Sequence, residues 1–129
     1  MTSMLGVFNN KLVDFFTDLS ETYPEERDIK MGLEAIQGAK KINPRLVLDL
    51  FTEYVKTPLH EYILAEDETY VIQYAKLAIQ KKFNEISPAL MIFDKYWPDM
   101  TDSNRKAIWN HLKVLVLLAD KAGKKPSVV

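Results

Sequence analysis

Two histidines, His60 and His111, and several runs of carboxylates are the groups with which this chain could do acid–base or metal chemistry. A metal site on a helix needs pairs such as His-x-x-x-His or Glu-x-x-His, which set two ligands on one face. His111 has no acid three or four residues away, and the adjacent pair His60-Glu61 points in two directions on a helix. Both histidines therefore read as structural. The carboxylates gather in two places, Asp14, Asp18, Glu21, Glu25, Glu26 and Asp28, then Glu61, Glu66, Asp67 and Glu68. General acid–base work needs a carboxylate desolvated in a cleft with a shifted pKa. These acids fall on polar faces and in loops, where solvation is their expected role. The first cluster also offers an acidic docking face for a basic partner.

Composition narrows the chemistry further. With no cysteine, disulfides, thiolate zinc sites and cysteine nucleophiles are excluded. The glycines at 6, 32, 38 and 123 are too scattered to cradle a phosphate, and neither a G-x-S-x-G elbow nor an H-E-x-x-H pair is present. No cofactor is expected. A net charge of −1, from 17 basic and 18 acidic residues, argues against a general attraction to nucleic-acid phosphates. Lys121, Lys124 and Lys125, with Lys81 and Lys82, nevertheless keep nucleic-acid binding through the lysine-bearing C-terminal end as the alternative function. Ser127-Val128-Val129 fits the loose carboxy-terminal pattern taken by strand-adding recognition domains, a pattern that often arises by chance.

The elements that must position these residues are helical. At 129 residues, 47% hydrophobic and 27% charged, the chain is expected to form one self-sufficient core with short loops. No signal peptide is visible, and the longest apolar segment, 114–119, is far short of the roughly 20 residues of a membrane span. The expected protein is soluble, intracellular and makes no membrane contact.

Ser3 can cap a first helix to about residue 22, with Leu5, Phe8, Leu12, Phe15, Phe16 and Leu19 on one face. Pro24, followed by Glu25, Glu26 and Asp28, is expected in the first turn of a second helix. In that helix Gly32 and Gly38 either cost stability or admit a close neighbour. Asn43-Pro44 should open a third helix to about residue 56, with Leu46, Val47, Leu50, Phe51 and Tyr54 inward, and Thr57-Pro58 should break it. Residues 59–66 read as either a short helical turn or an irregular excursion. A fourth helix is expected over about 67–85 with Val71, Tyr74, Ala75, Ala78 and Ile79 buried. A fifth starts at Ser87-Pro88, with Leu90, Phe93 and Trp97 in line, and stops at Pro98.

The last helix, capped by Thr101 and ended at Gly123, is the expected spine. Ile108, Leu112, Leu115 and Ala119 form one line, flanked by Trp109, Val116, Leu118 and Val114. The polar remainder is a narrow stripe of Lys106, Asn110, Lys113 and Asp120, interrupted by Leu117. That apolar arc is wider than the roughly 100° a surface helix needs. Either other helices surround it, the preferred reading, or it buries a second face on a partner chain. Trp97 and Trp109 bracket the preceding turn and should meet there; a partly exposed Trp97 would instead be an interaction hot spot.

At this corner the sequence resembles a known group. The run YWPDMTDSNRKAIWNHLKVLVLLADKA, the opening FNNKLVDFFTDLSETYPEERDIK and the middle AKKINPRLVLDLFTEYVKTP are similar to blocks of small uncharacterised helical proteins of nucleocytoplasmic large DNA viruses that infect algae and protists. The likeness spans most of the chain and is weakest over 59–85. It implies a viral origin and a place in the infected-cell cytoplasm or the virion, and it brings no activity, cofactor or site residue.

The reading that follows is an all-α, single-domain bundle of five or six helices over 1–123, packed around the hydrophobic C-terminal helix, with 124–129 a mobile tail. The expected function is a non-enzymatic protein–protein interaction module, a small viral structural or virus-factory protein. A protein partner or a second copy would bind at a surface including Trp97, Asn110, Lys113, Leu117 and Lys121.

Overall fold

In the computed structural model, which describes residues 3–81 and 87–123, every regular element is helical. Helix α1 (Met4–Thr22) starts where Ser3 Oγ accepts the Gly6 N–H at 3.0 Å. Its inward face is Phe8, Leu12, Phe15, Phe16 and Leu19, all buried, with Asn9 beside them. Asn9 donates from Nδ2 to the Pro44 carbonyl, tying α1 to the start of α3 (Pro44–Phe51).

Helix α2 (Arg27–Ile42) begins three residues later than the proline signal indicated. Pro24 and Glu25 form a turn closed by the Glu26 N–H on the Tyr23 carbonyl. A residue before proline is pushed out of the helical region, and Tyr23 sits at φ −123°, ψ 67°. Gly32 is buried as a close-packing residue would be, whereas Gly38 has open space where a Cβ would go.

The Thr57-Pro58 break does not occur. From Pro44 the chain stays helical through a five-residue π-turn, Thr52–Lys56, into α4 (Thr57–Leu64). Four-residue steps overshoot an α-helical turn by about 40° each, so a stripe spaced by four drifts off the core. The wider π-turn cancels part of that drift and keeps Phe51, Val55, Leu59 and Ile63 all buried. It also accommodates Pro58, which has no N–H to donate to the Tyr54 carbonyl four residues back. The Tyr74 hydroxyl donates to that carbonyl instead. In α3 the buried set is Val47, Leu48 and Phe51, while Leu46, expected inward, is 42% exposed.

Residues 59–66 resolve into α4 and its cap. The Asp67 N–H reaches the Tyr62 carbonyl and the Glu66 N–H the Ile63 carbonyl, a Schellman ending with Glu66 at φ 54°, where glycine is usual. Asp67 Oδ1 then caps α5 (Glu68–Lys81) by accepting from the Tyr70 N–H. Val71 and Ala75 are fully buried, with Tyr74, Ala78 and Ile79 half-buried. The expected extension of this helix to 85 lies outside the described residues.

Helix α6 (Ser87–Lys95) leads through a 3₁₀ turn (Trp97–Asp99) into α7 (Asp102–Gly123), whose first turn is capped by Thr101. The two indoles meet edge to face at 5.3 Å, and Phe93 stacks on Trp97 at 4.6 Å. Arg105 donates from Nε and Nη2 to the Trp97 carbonyl, at 3.1 and 2.8 Å, and from Nη2 to Pro98. Trp97 is thus 1% exposed, a corner residue of the core and no interaction surface.

Helix α7 packs antiparallel against α1 and also touches α3, the π-turn and α4. Ile108, Trp109, Leu112, Leu115, Val116 and Ala119 are buried. The wrapping expected of the spine is incomplete: Val114 is 42% and Leu117 49% exposed. The neighbouring helices cover one side of α7, and its apolar arc runs past their edge.

Two substitutions check these features by urea denaturation. Gly38→Ala should stabilise the protein by about 0.5–1 kcal/mol, since the new methyl meets nothing and the unfolded chain loses freedom; a loss would show that the glycine is required. Glu66→Gly should be more stable than Glu66→Ala by about 1 kcal/mol, because only glycine relieves the left-handed backbone; equal stabilities would contradict that conformation.

Candidate functional site

A trough between α1 and α7 joins polar and apolar side chains. Because the helices run antiparallel, the last two turns of α1 face the first two of α7. Phe15 and Leu19 from one and Ile108 from the other make its floor, closed at one end by Tyr23 and Met100. Its volume is about 350 Å³, and it is open to solvent along its length. A second groove of about 290 Å³, lined by Lys11, Asn110, Val114 and Leu115, continues it, the two sharing Ala107 and His111. From Asn104 to Leu115 the wall spans about three helical turns, or roughly 16 Å.

His111 stands on the divide. Its Nε2 lies 3.2 Å from Asp18 Oδ2, and its ring packs on Phe15 at 5.0 Å. No acid on its own helix could supply this partner; the antiparallel packing brings one from α1, which sequence spacing alone cannot reveal. Asp18 is 60% exposed, so this carboxylate is hydrated. Thr22, whose hydroxyl lines the same trough, donates to the Asp18 carbonyl at 2.8 Å. Asp14, Asp18 and Glu21 fall on one outward line of α1, forming an acidic rim above the apolar floor.

A polar brace centred on the buried Glu26 holds the Tyr23 end. Tyr23 stacks on Tyr96 at 4.1 Å, and the Tyr96 hydroxyl donates to Glu26 Oε2, which Lys95 Nζ also approaches at 2.7 Å. Lys95 and then Tyr96 hold the Glu26 carboxyl below its ordinary pKa, with burial opposing them. Burial and nearby Glu25 push the Tyr23 phenol up, keeping it protonated near neutrality. The sequence showed Glu26 only as part of an acidic opening; its partners lie in a helix far along the chain.

Of the residues expected to form an interaction surface, Asn110, Leu117 and Lys121 share one exposed stripe of α7 with Val114. Lys113 turns to the other side, where it pairs with Glu66 at 2.5 Å, and Trp97 is buried. His60 is half-buried on α4. Among the described residues no group of three or more His, Asp or Glu could hold a metal, and no helix is long and apolar enough to cross a membrane. Lys82, Lys124, Lys125 and the terminal Ser127-Val128-Val129 lie outside the described residues. Comparison with protein families, curated proteins and solved structures found no match.

The Glu26 brace has a signed pH dependence. With its folded pKa depressed, its stabilisation is fully present above the ordinary glutamate value of about 4.3 and fades as pH falls through the folded value. Glu26→Gln should cost about 1–2 kcal/mol at pH 7, with the gap to the native chain closing below about pH 4. A gap that is constant from pH 7 to pH 3 in denaturation curves would contradict the charged brace.

Proposed function

We propose that the chain is a non-enzymatic protein–protein interaction module whose binding surface is the α1–α7 seam. The observation that carries this reading is the three-turn trough itself, which the exposed Val114 lines, with the exposed Leu117 three residues further along the same helix. A single exposed leucine is unremarkable, but an apolar floor, a small residue at the divide and two more apolar side chains along one seam make a contiguous patch. Both walls are rigid helices fixed by the core and by the Tyr96–Glu26 brace, so little conformational freedom is lost when a partner docks.

The trough's chemistry favours binding over catalysis. The Asp18–His111 pair sits in water without a positioned nucleophile or converging oxyanion donors among the described residues, which acyl or phosphoryl transfer would require. The acidic rim would repel phosphates, so the seam does not serve the nucleic-acid alternative. In the infected-cell or virion setting that the sequence resemblance implies, the module would join one structural or assembly component to another.

A photo-crosslinking residue tests the placement. Installed at Ala107 or Leu117 in cells that make the protein, it should yield a discrete crosslinked species; at Gly38, on the outer face of α2, it should yield none. Equal labelling at all three positions, or none at 107 and 117, would overturn the seam as the binding surface.

A further inference from the structure

We infer that the occupant of the α1–α7 trough is a basic amphipathic helix of a partner protein, a conclusion that rests on the interaction reading above and names its ligand. Three features of the site converge on it.

The first is backbone satisfaction. Both walls are α-helices whose main-chain groups are bonded internally, so neither offers a free edge to an extended peptide. A strand laid over Phe15, Leu19 and Ile108 would leave its own N–H and C=O groups facing an apolar floor. A helix satisfies its backbone by itself and presents only side chains.

Length is the second feature. A wall of about three turns accepts a helix of about 11 residues with apolar anchors spaced three and four apart, packed in the groove as a third helix. The occupant's anchors would seat in the deeper part beside Leu19 and Met100 and in the continuation beside Val114, on either side of His111.

Charge is the third. Asp14 and Glu21 have no ion-pair partner among the described residues, and Asp18 meets only His111. The cations of α7 that could neutralise this rim are directed elsewhere. Arg105 is held on the Trp97 and Pro98 carbonyls, Lys113 is paired with Glu66, and Lys106 acts on that same Glu66. Lys11 stands at the opposite end of the seam. The trough is therefore most acidic at the Tyr23 end, where Asp18 and Glu21 line it, while Lys11 offsets the acid at the other end. The occupant is expected to carry its lysines or arginines toward the Tyr23 end.

The test is selection of a displayed, helix-biased random peptide library on the full chain, followed by fluorescence anisotropy with the enriched peptides. Selected sequences should place apolar residues three or four apart with at least two lysines or arginines on one flank. Their Kd should rise about tenfold for the double variant Asp18→Asn/Glu21→Gln and by a similar factor between low and high salt. Ala107→Trp, which fills the trough from an exposed position, should abolish binding, and all variants should keep the native melting temperature. Enriched peptides that are neutral or acidic, and blocked by Ala107→Trp, would leave the interaction reading standing and overturn the basic helix. Peptides indifferent to Ala107→Trp, no enrichment at all, or self-association of the chain abolished by Ala107→Trp would each overturn the inference as well.

Discussion

The burial of α1's aromatic face against α7 is the interaction on which the rest of this structure depends. Phe8, Leu12, Phe15 and Phe16 are at most 1% exposed, and Leu115, Val116 and Ala119 across from them are equally covered. Each such side chain contributes about 1.5–3 kcal/mol of transfer free energy, so this one seam outweighs any single polar contact in the molecule. The remaining helices close its inner side. Among the described residues its outer side stays open, and that opening is the trough.

Two corners fix the antiparallel register. At one, the aromatic cluster of Phe93, Trp97 and Trp109 with the Arg105 clamp sets where α7 begins. At the other, Glu26 joins the α1–α2 turn to the end of α6 through Lys95 and Tyr96. A shift of α7 by one turn would part His111 from Asp18 and Trp109 and Arg105 from Trp97. The site is therefore a consequence of how the ends of three helices are tied together, more than of any residue within it.

Much of this was legible in the sequence where the signal is local. Ser3, Asn43 and Thr101 cap the helices they were expected to cap, and the three- and four-residue spacing of α1 names its buried face. Proline was legible only in part. Asn43-Pro44 opens a helix, Pro24 makes a turn and Pro58 rides inside a continuous helix, since a π-turn can absorb a proline that tertiary register needs there. The apolar arc of α7 revealed how much greasy surface the helix carries but not which side its neighbours would leave bare. The Asp18–His111 pair and the Glu26 brace were hidden for the same reason. Each joins residues from helices remote in sequence, and no spacing rule encodes such a meeting.

The stripe expected on α7 is there for Asn110, Leu117 and Lys121, while Trp97 turned inward because an indole at a tight corner buries more area in the core than it could expose usefully. What remains at the surface is an apolar-floored groove with an acidic lip, of which Asp14 and Glu21 have no ion-pair partner among the described residues. The most direct measurement is a map of backbone amide shifts as a selected peptide is titrated into the labelled chain. The account predicts that changes concentrate on residues 11–23 of α1 and its following turn and on 100–117 of α7. Changes centred on α2 or α5, with that seam silent, would contradict it.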